Sequence, residues 1–372
     1  MDCLAEWPEP VVPVESLAHL QTIPDRYVKP PEERPNCIAS AGDDAADAIP
    51  VVDLAALTEE RVDAAIAEAV SAACRGWGFF QAVNHGVAPE LVRRFAAAWR
   101  GFFRLPVEVK RRYANSPATY EGYGSRLGVD REAALDWSDY YFLHLLPCLL
   151  KDHRKWPQLP HELSEVTEEY GAEMRRLCRR LMRALSVGLG LLEGRLAAAF
   201  GGEEEEEGAC MRINFYPKCP QPELALGLSP HSDPGGLTVL LPDHHAKGLQ
   251  VRRPGDGAWV TVRPLPDALV VNVADQIQIL SNARYKSVEH RVAVNGEKER
   301  MSAAYFYNPR SDVPVQPLPE LVEASGGAAL YQPMTFDEYR LYIRQKGPQG
   351  KSQLSELYQN KVHINSAIDQ GQ

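Results

Sequence analysis

Residues Leu226–Leu240 read LGLSPHSDPGGLTVL: a short apolar lead-in, a polar His-Ser-Asp, a Pro-Gly-Gly turn, then an alternating apolar run. Period-2 alternation bounded by Gly and Pro is the mark of a half-buried strand. The same grammar surrounds it. CMRINFY (210–216), GLTVLL (236–241), GLQVRR (248–253), AWVTV (258–262), ALVVNVA (268–274), SVEHRVAV (287–294) and RMSAAYFY (300–307) follow one another at close spacing. Many short strands with glycine and proline turns predict a sandwich or jelly-roll barrel.

Upstream the period changes to helical. Thr58 is placed to cap a helix carrying Val62, Ile66, Ala69, Val70 and Ala73, and IPVVDL (49–54) before it reads as a short buried strand. GWGFFQAVNHG (76–86) is a turn, a strand and a second turn, in which His85 has a structural role. Leu91, Val92, Phe95, Trp99, Phe102 and Phe103 give a second helix, ended at Pro106. Leu163, Val166, Tyr170, Met174, Leu177, Leu181 and Leu185 give one long helix, and FDEYRLYIRQ (336–345) a C-terminal one. TYEGYGSRLGV (119–129) and LDWSDYYFLHLLP (135–147) form either an edge hairpin that walls a pocket or plain core. The predicted class is α+β, with a jelly-roll core (a double-stranded β-helix), an α-rich N-terminal region and a C-terminal helix. The boundaries are a Pro- and acid-rich extension at 1–48, the helical region at 49–207, the barrel at 208–310 and the helix and tail at 311–372.

Composition narrows the function. The 372 residues are 45% hydrophobic and 24% charged, with a formal charge of −10, which argues against nucleic acid or an anionic membrane as partner. Part of that charge is Glu203–Glu207, read as a solvated loop. Seven scattered cysteines without C-x-x-C suggest reduced thiols in a cytosolic or nuclear setting. The N-terminus has no signal-peptide pattern and no apolar run reaches membrane-spanning length, so a protein that is not secreted is expected.

His231 and Asp233 are i and i+2, which on a strand aims both at one point. His290, on another period-2 segment, is the third candidate ligand. Two His and one carboxylate that cap one side of a metal form the triad used by non-haem Fe(II) oxygenases. Alone, H-x-D is also a common surface polar pair. Arg300 and Ser302 share one strand face and suit a carboxylate, the guanidinium bidentate and the hydroxyl adding a donor. Arg212, Asn214 and Tyr216 share another face, where Arg212 is either solvent-exposed or awaits an anion. Arg340 and Arg344, at i and i+4, make either a solvated helix face or a pair whose mutual repulsion an anionic ligand would relieve.

N-x-Y-P-x-C-x-x-P (214–222), H-x-D, the distal His290 and R-x-S together resemble the plant Fe(II)/2-oxoglutarate-dependent dioxygenases. EWPEPVVPVESLA, TYEGYGSRLGV, LDWSDYYFLHLLP, LALGLSPHSDPGG and TFDEYRLYIRQKGPQGKS are similar to the jasmonate-induced oxygenases, the jasmonic acid hydroxylases of that superfamily. The resemblance covers nearly all of residues 7–350. It implies Fe(II) on His231, Asp233 and His290, and 2-oxoglutarate on Arg300 and Ser302 with Asn214 and Tyr216. It also implies the jasmonate carboxylate on Arg212, Arg340 and Arg344, with Phe142 and Phe306 walling the apolar end. Phe306 shares strand parity with Arg300 and Ser302, which agrees independently.

The implied reaction consumes O2 and 2-oxoglutarate, with ascorbate as reductant, and converts jasmonic acid to 12-hydroxyjasmonate, lowering jasmonate signalling and defence. Two alternatives stand beside it. One is a flavonoid oxygenase of the anthocyanidin-synthase or flavonol-synthase kind, and the other a non-catalytic small-molecule binder on the same fold. A neutral polyphenol gives clustered arginines little to do, and an intact triad with R-x-S argues against a mere binder.

Overall fold

The computed structural model describes residues 11–35, 48–115, 120–125, 134–202, 207–346 and 354, with side chains up to 343 in the last helix. In chain order come β1 (Val51–Asp53), α1 (Ala64–Gly76), β2 (Phe79–Val83), α2 (Pro89–Phe103) and α3 (Val107–Arg111). The hairpin β3 (Gly122–Ser125) and β4 (Asp139–Leu146) precedes α4 (Leu163–Gly188) and α5 (Arg195–Ala199). Strands β5 (Gly208–Tyr216), β6 (Leu226–His231), β7 (Leu237–Leu241), β8 (Leu249–Arg252), β9 (Trp259–Thr261) and β10 (Leu269–Val273) follow. After α6 (Asp275–Leu280) come β11 (His290–Ala293), β12 (Arg300–Asn308), β13 (Pro314–Val315), α7 (Pro319–Glu323), β14 (Met334–Thr335) and α8 (Phe336–Lys346).

Eight strands form the major sheet in the order β1-β2-β10-β7-β12-β5-β4-β3, and four form the minor sheet, β6-β11-β8-β9. Only β1 and β2 run parallel within these two sheets; every other neighbouring pair is antiparallel. Ile49, Phe79 and Val270 from the major-sheet side pack with Leu249, Val251 and Val262 of the minor-sheet side. The two sheets therefore share an apolar layer, as a sandwich requires.

Alternation assigns each strand face a task. On β4 the residues Tyr141, Leu143 and Leu145 are buried in the main core, whereas Phe142, His144 and Leu146 are half-buried. On β5 the residues Ala209, Met211 and Ile213 join that core, which also takes in one stripe of α4 from Leu163 to Leu185. Phe95 stacks on Tyr170 with ring centroids 4.0 Å apart, and Trp99 Nε1 donates to Thr167 Oγ1 at 3.1 Å, which locks α2 onto α4. Strand β4 is thus both of the things its sequence allowed, with one side in the core and the other on the face that continues through Arg212 and Asn214. Residues 119 and 126–133 of that stretch lie outside the described residues.

Four local readings change. Asp63, not Thr58, caps α1, its Oδ1 accepting from the backbone of Ala65 and Ile66; the Thr58 hydroxyl instead accepts from Arg61 N in the preceding turn. The strand β1 lies on the edge of the major sheet, so Val52 is buried while Val51 is 53% exposed. Strand β6 ends at His231, leaving Asp233 in the Ser232–Gly236 turn rather than on a strand. Residues 203–206 lie outside the described residues, but Glu207 is buried, because Arg175 and Arg179 of α4 reach it at 2.7 and 2.9 Å. Burial alone would raise its pKa; the hydrogen bond and charge of Arg175, with Arg179, hold it below the ordinary carboxylate range.

Trp99→Ala removes a fully buried indole between α2, α4 and β4. It should lower unfolding free energy by about 3–5 kcal/mol, seen as a shift in the urea midpoint.

Candidate active site

Three donor atoms converge where the sheets open. His231 and His290 are register partners across β6 and β11, with ring centroids 4.2 Å apart. Asp233 Oδ1 lies 3.6 Å from Nε2 of each ring. All three donors lie within 4.8 Å of one another, the only such metal-capable cluster among the described residues.

Each donor is aimed by a second interaction. His231 Nδ1–H donates to the Ser229 carbonyl at 2.9 Å and His290 Nδ1–H to the Val288 carbonyl at 3.3 Å, so both Nε2 lone pairs face inward. Asp233 Oδ2 accepts from Thr238 Oγ1 at 2.7 Å and Asn272 Nδ2 at 2.9 Å, which leaves Oδ1 for a ligand. Burial would raise the Asp233 pKa, but His290, His231 and these two donors hold it below the usual range. Burial, then the neighbouring His290, pushes His231 down to about 4, so its ring is neutral and able to ligate at neutral pH. This donor set fits ferrous iron with one side left open.

Cross-strand register extends the site along the major sheet. Directly opposed residues share a face. One row runs Asn272–Thr238–Phe306–Cys210–His144, the next Leu240–Ala304–Arg212–Phe142, then Ser302–Asn214–Tyr140, then Arg300–Tyr216. The face that holds Asp233 through Thr238 and Asn272 is therefore the face bearing Phe306, Arg212, Phe142, Ser302, Asn214, Arg300 and Tyr216. Arg300 is buried, its Nη1 donating to Ser302 Oγ at 3.3 Å and its guanidinium 5.1 Å from the Tyr216 ring centre. Burial raises the Tyr216 pKa, against the opposing charges of Arg300 and Arg212. Gly227 and Gly248 make the space: a Cβ at the first would sit 2.5 Å from the Tyr216 ring, and at the second 3.0 Å from Arg300 Cδ. Arg300 Nε and Asn214 Oδ1 are buried without a hydrogen-bond partner, a cradle suited to a polar ligand.

Arg212 stacks on Tyr140 at 4.3 Å, and its buried Nε has no partner. No described carboxylate pairs with it. Arg340 stands apart from that face: Asp337 and Ser311 Oγ accept from its Nη2, and it covers the Phe336 ring at 5.0 Å. The Arg344 backbone belongs to α8, and its side chain lies outside the described residues. His85 is structural, as expected, since it is buried with Nε2 against the Asp267 carbonyl and Nδ1 accepting from Val87 N.

Sequence reasoning missed the supports. Thr238 and Asn272 are the polar interruptions in GLTVLL and ALVVNVA, and that interruption was the available signal. Asp275 is another: Ser232 Oγ, Ser287 Oγ and Tyr339 Oη all donate to its carboxylate, joining the metal turn, the approach to β11 and α8.

Residues 207–309 match the 2OG-Fe(II) oxygenase superfamily model, and residues 49–162 match the N-terminal model described as non-haem dioxygenase in morphine synthesis. The chain belongs to the 2OG-Fe(II) oxygenase superfamily, and is an iron- and 2-oxoglutarate-dependent dioxygenase. Jasmonate-induced oxygenase 2 of Arabidopsis thaliana is 60% identical over 351 residues, 93% of each chain. The crystal structure of JOX2 in complex with 2OG, Fe and JA superposes with a TM-score of 0.86 at 58% identity, covering 95% of this chain and 99% of that one. Leucoanthocyanidin dioxygenase of Malus domestica is 39% identical, over 88% of this chain and 93% of its own.

Thr238→Val and Asn272→Leu each strip a donor from Asp233 Oδ2. Each should weaken metal binding on the order of 10- to 100-fold, read by anaerobic Mn(II) titration, while the fold persists by circular dichroism.

Proposed function

We propose that the protein hydroxylates jasmonic acid to 12-hydroxyjasmonate and thereby lowers jasmonate signalling and defence. The observation that carries this reading is Arg212, a cation on the ligand-facing side of the major sheet with no described carboxylate partner. An unpaired guanidinium lining a pocket is costly unless an anion fills the place. The likeness to oxygenases named for jasmonate, one of them crystallised with JA, supports the same substrate.

In this reading His231, Asp233 and His290 hold Fe(II), and Arg300, Ser302, Asn214 and Tyr216 hold 2-oxoglutarate. Bound iron supplies the oxidising chemistry: one oxygen atom of O2 enters a C–H bond, the other enters succinate, and CO2 leaves. The chain supplies placement. Arg300 binds the distal carboxylate of 2-oxoglutarate, with the Ser302 hydroxyl as a further donor. Arg212, with Arg340 and Arg344 from α8, fixes the jasmonate carboxylate. Phe142 and Phe306 keep the pentenyl chain dry and direct its terminal carbon toward the triad. Phe306 lies opposite Thr238, the residue that buttresses Asp233, so the apolar end of the substrate falls nearest the metal. Arg340 must turn from Asp337 toward the ligand, a local exchange of one carboxylate for another.

Among the described residues no helix is long and apolar enough to cross a membrane. We assign the enzyme to the cytosol, a reading supported by the reduced thiols of Cys74, Cys148, Cys178 and Cys219.

Given Fe(II), 2-oxoglutarate, ascorbate, O2 and jasmonic acid, the enzyme should yield a product heavier by one oxygen, with succinate formed in step. Succinate formed only with flavonoids would replace this reading with the flavonoid-oxygenase one. Arg212→Met should raise the jasmonate KM on the order of 10- to 100-fold, the loss of about 1.5–3 kcal/mol from a charged hydrogen bond. Its 2-oxoglutarate KM should hold steady. Gly248→Ala should do the reverse, weakening 2-oxoglutarate by crowding Arg300.

A further inference from the structure

Residues 11–35 precede both matched regions, which begin at 49 and 207, yet they reach the site. This segment joins residues 135–137 in a seam at the start of β6. Lys29 N donates to the Leu224 carbonyl at 2.8 Å, Leu135 N to the Arg26 carbonyl at 2.6 Å and Trp137 N to the Leu226 carbonyl at 2.7 Å. Tyr27 meets Trp137 edge-on at 5.2 Å within a small core that includes Val14, Ile23 and Cys219.

At this seam lies a buried ion pair, Lys29 with Asp136. Lys29 is 1% exposed, and its Nζ donates to Asp136 Oδ1 at 2.8 Å, Ser229 Oγ at 2.9 Å and the Ala134 carbonyl at 3.0 Å. Ser229 Oγ also donates to Asp136 Oδ1, so the Ser229 residue is clamped by its side chain. The backbone carbonyl of that same residue accepts from His231 Nδ1. A second contact reaches the other histidine strand: Arg291, next to His290, donates from Nη1 to the Glu33 carbonyl at 3.2 Å.

We propose that Lys29 is a positioning residue for His231, acting through Ser229, so that the N-terminal segment completes the metal centre. A buried ammonium with three oxygen partners has one geometry, and it passes that geometry to the carbonyl that sets the imidazole tautomer and tilt. Without Lys29, Asp136 is left buried beside Ser229, and the serine is free to follow it. The proposal rests on His231 being a metal ligand.

The test is titration of the full-length chain with Co(II) under nitrogen, reading both affinity and the visible d–d spectrum. His231→Ala provides the reference, because unchanged Co(II) binding in that variant would overturn the metal-site reading itself. With that reference weakened, Lys29→Met should lower Co(II) affinity by about tenfold or more and alter the spectrum, and Lys29→Arg should restore both to within about threefold. If Lys29→Met does not fold, Ser229→Ala serves, since it keeps the Lys29–Asp136 pair. It should weaken Co(II) binding several-fold at unchanged melting temperature. Parental affinity and spectrum in folded Lys29→Met, or in Ser229→Ala, would overturn the proposal.

Discussion

The structure depends on how one carboxylate divides its two oxygens. Asp233 Oδ2 is taken by Thr238 and Asn272, on neighbouring strands of the major sheet, while Oδ1 faces histidines carried by the minor sheet. A buried carboxylate tolerates this only because every charge nearby is matched by a donor or a neighbouring imidazole. Its backbone carbonyl is used as well, accepting from Asp275 N. The turn that bears Asp233 is held from both ends. Gly235 and Gly236 abut Asn308 Oδ1 and the Phe200 ring so closely that a Cβ at either would sit 2.0 or 2.3 Å from them. The metal donors are therefore set before any ligand arrives, which is how a site avoids reorganising at the moment of reaction.

A second constraint is the accumulation of positive charge on one sheet face. Arg300 and Arg212 rise from adjacent strands, two rows apart, on the same sheet face. Their aromatic floors, Tyr216 and Tyr140, shield them in part, since an arginine over a ring keeps its charge with little hydration. Two anions satisfy such a face, and the reaction assigned to this chain uses two: a co-substrate diacid and a monocarboxylic acid. The two-row separation of the guanidiniums lets each serve a different carboxylate in the proposed reading.

Much of this was legible in the sequence because alternation is a strong signal. The shared parity of Arg212, Asn214 and Tyr216, and of Arg300, Ser302 and Phe306, follows from strand period alone, and cross-strand register puts the two sets on one face. The long α4 was legible for the same reason at period 3.6. What period cannot convey is where a strand stops. His231 and Asp233 do meet, but by a turn that follows β6, not by alternation within it. Glu207 looked solvated because its partners, Arg175 and Arg179, are about thirty residues away along the chain and only folding brings them near. The Lys29–Asp136–Ser229 clamp was invisible for that reason too, with about a hundred residues between successive members.

The two-faced strands have an evolutionary consequence. On β5 the odd positions 209, 211 and 213 belong to the main core, whereas the even positions 210, 212 and 214 line the ligand side. In the proposed reading, mutations that retune which acid is accepted and mutations that retune thermal robustness are thus drawn from two sets of codons interleaved along one strand. On that reading, a lineage can explore new substrates at a position such as Phe306 on β12 while the neighbouring residues, one step along the backbone, hold the scaffold constant. Innovation and folding are insulated from each other by nothing more than the pleat.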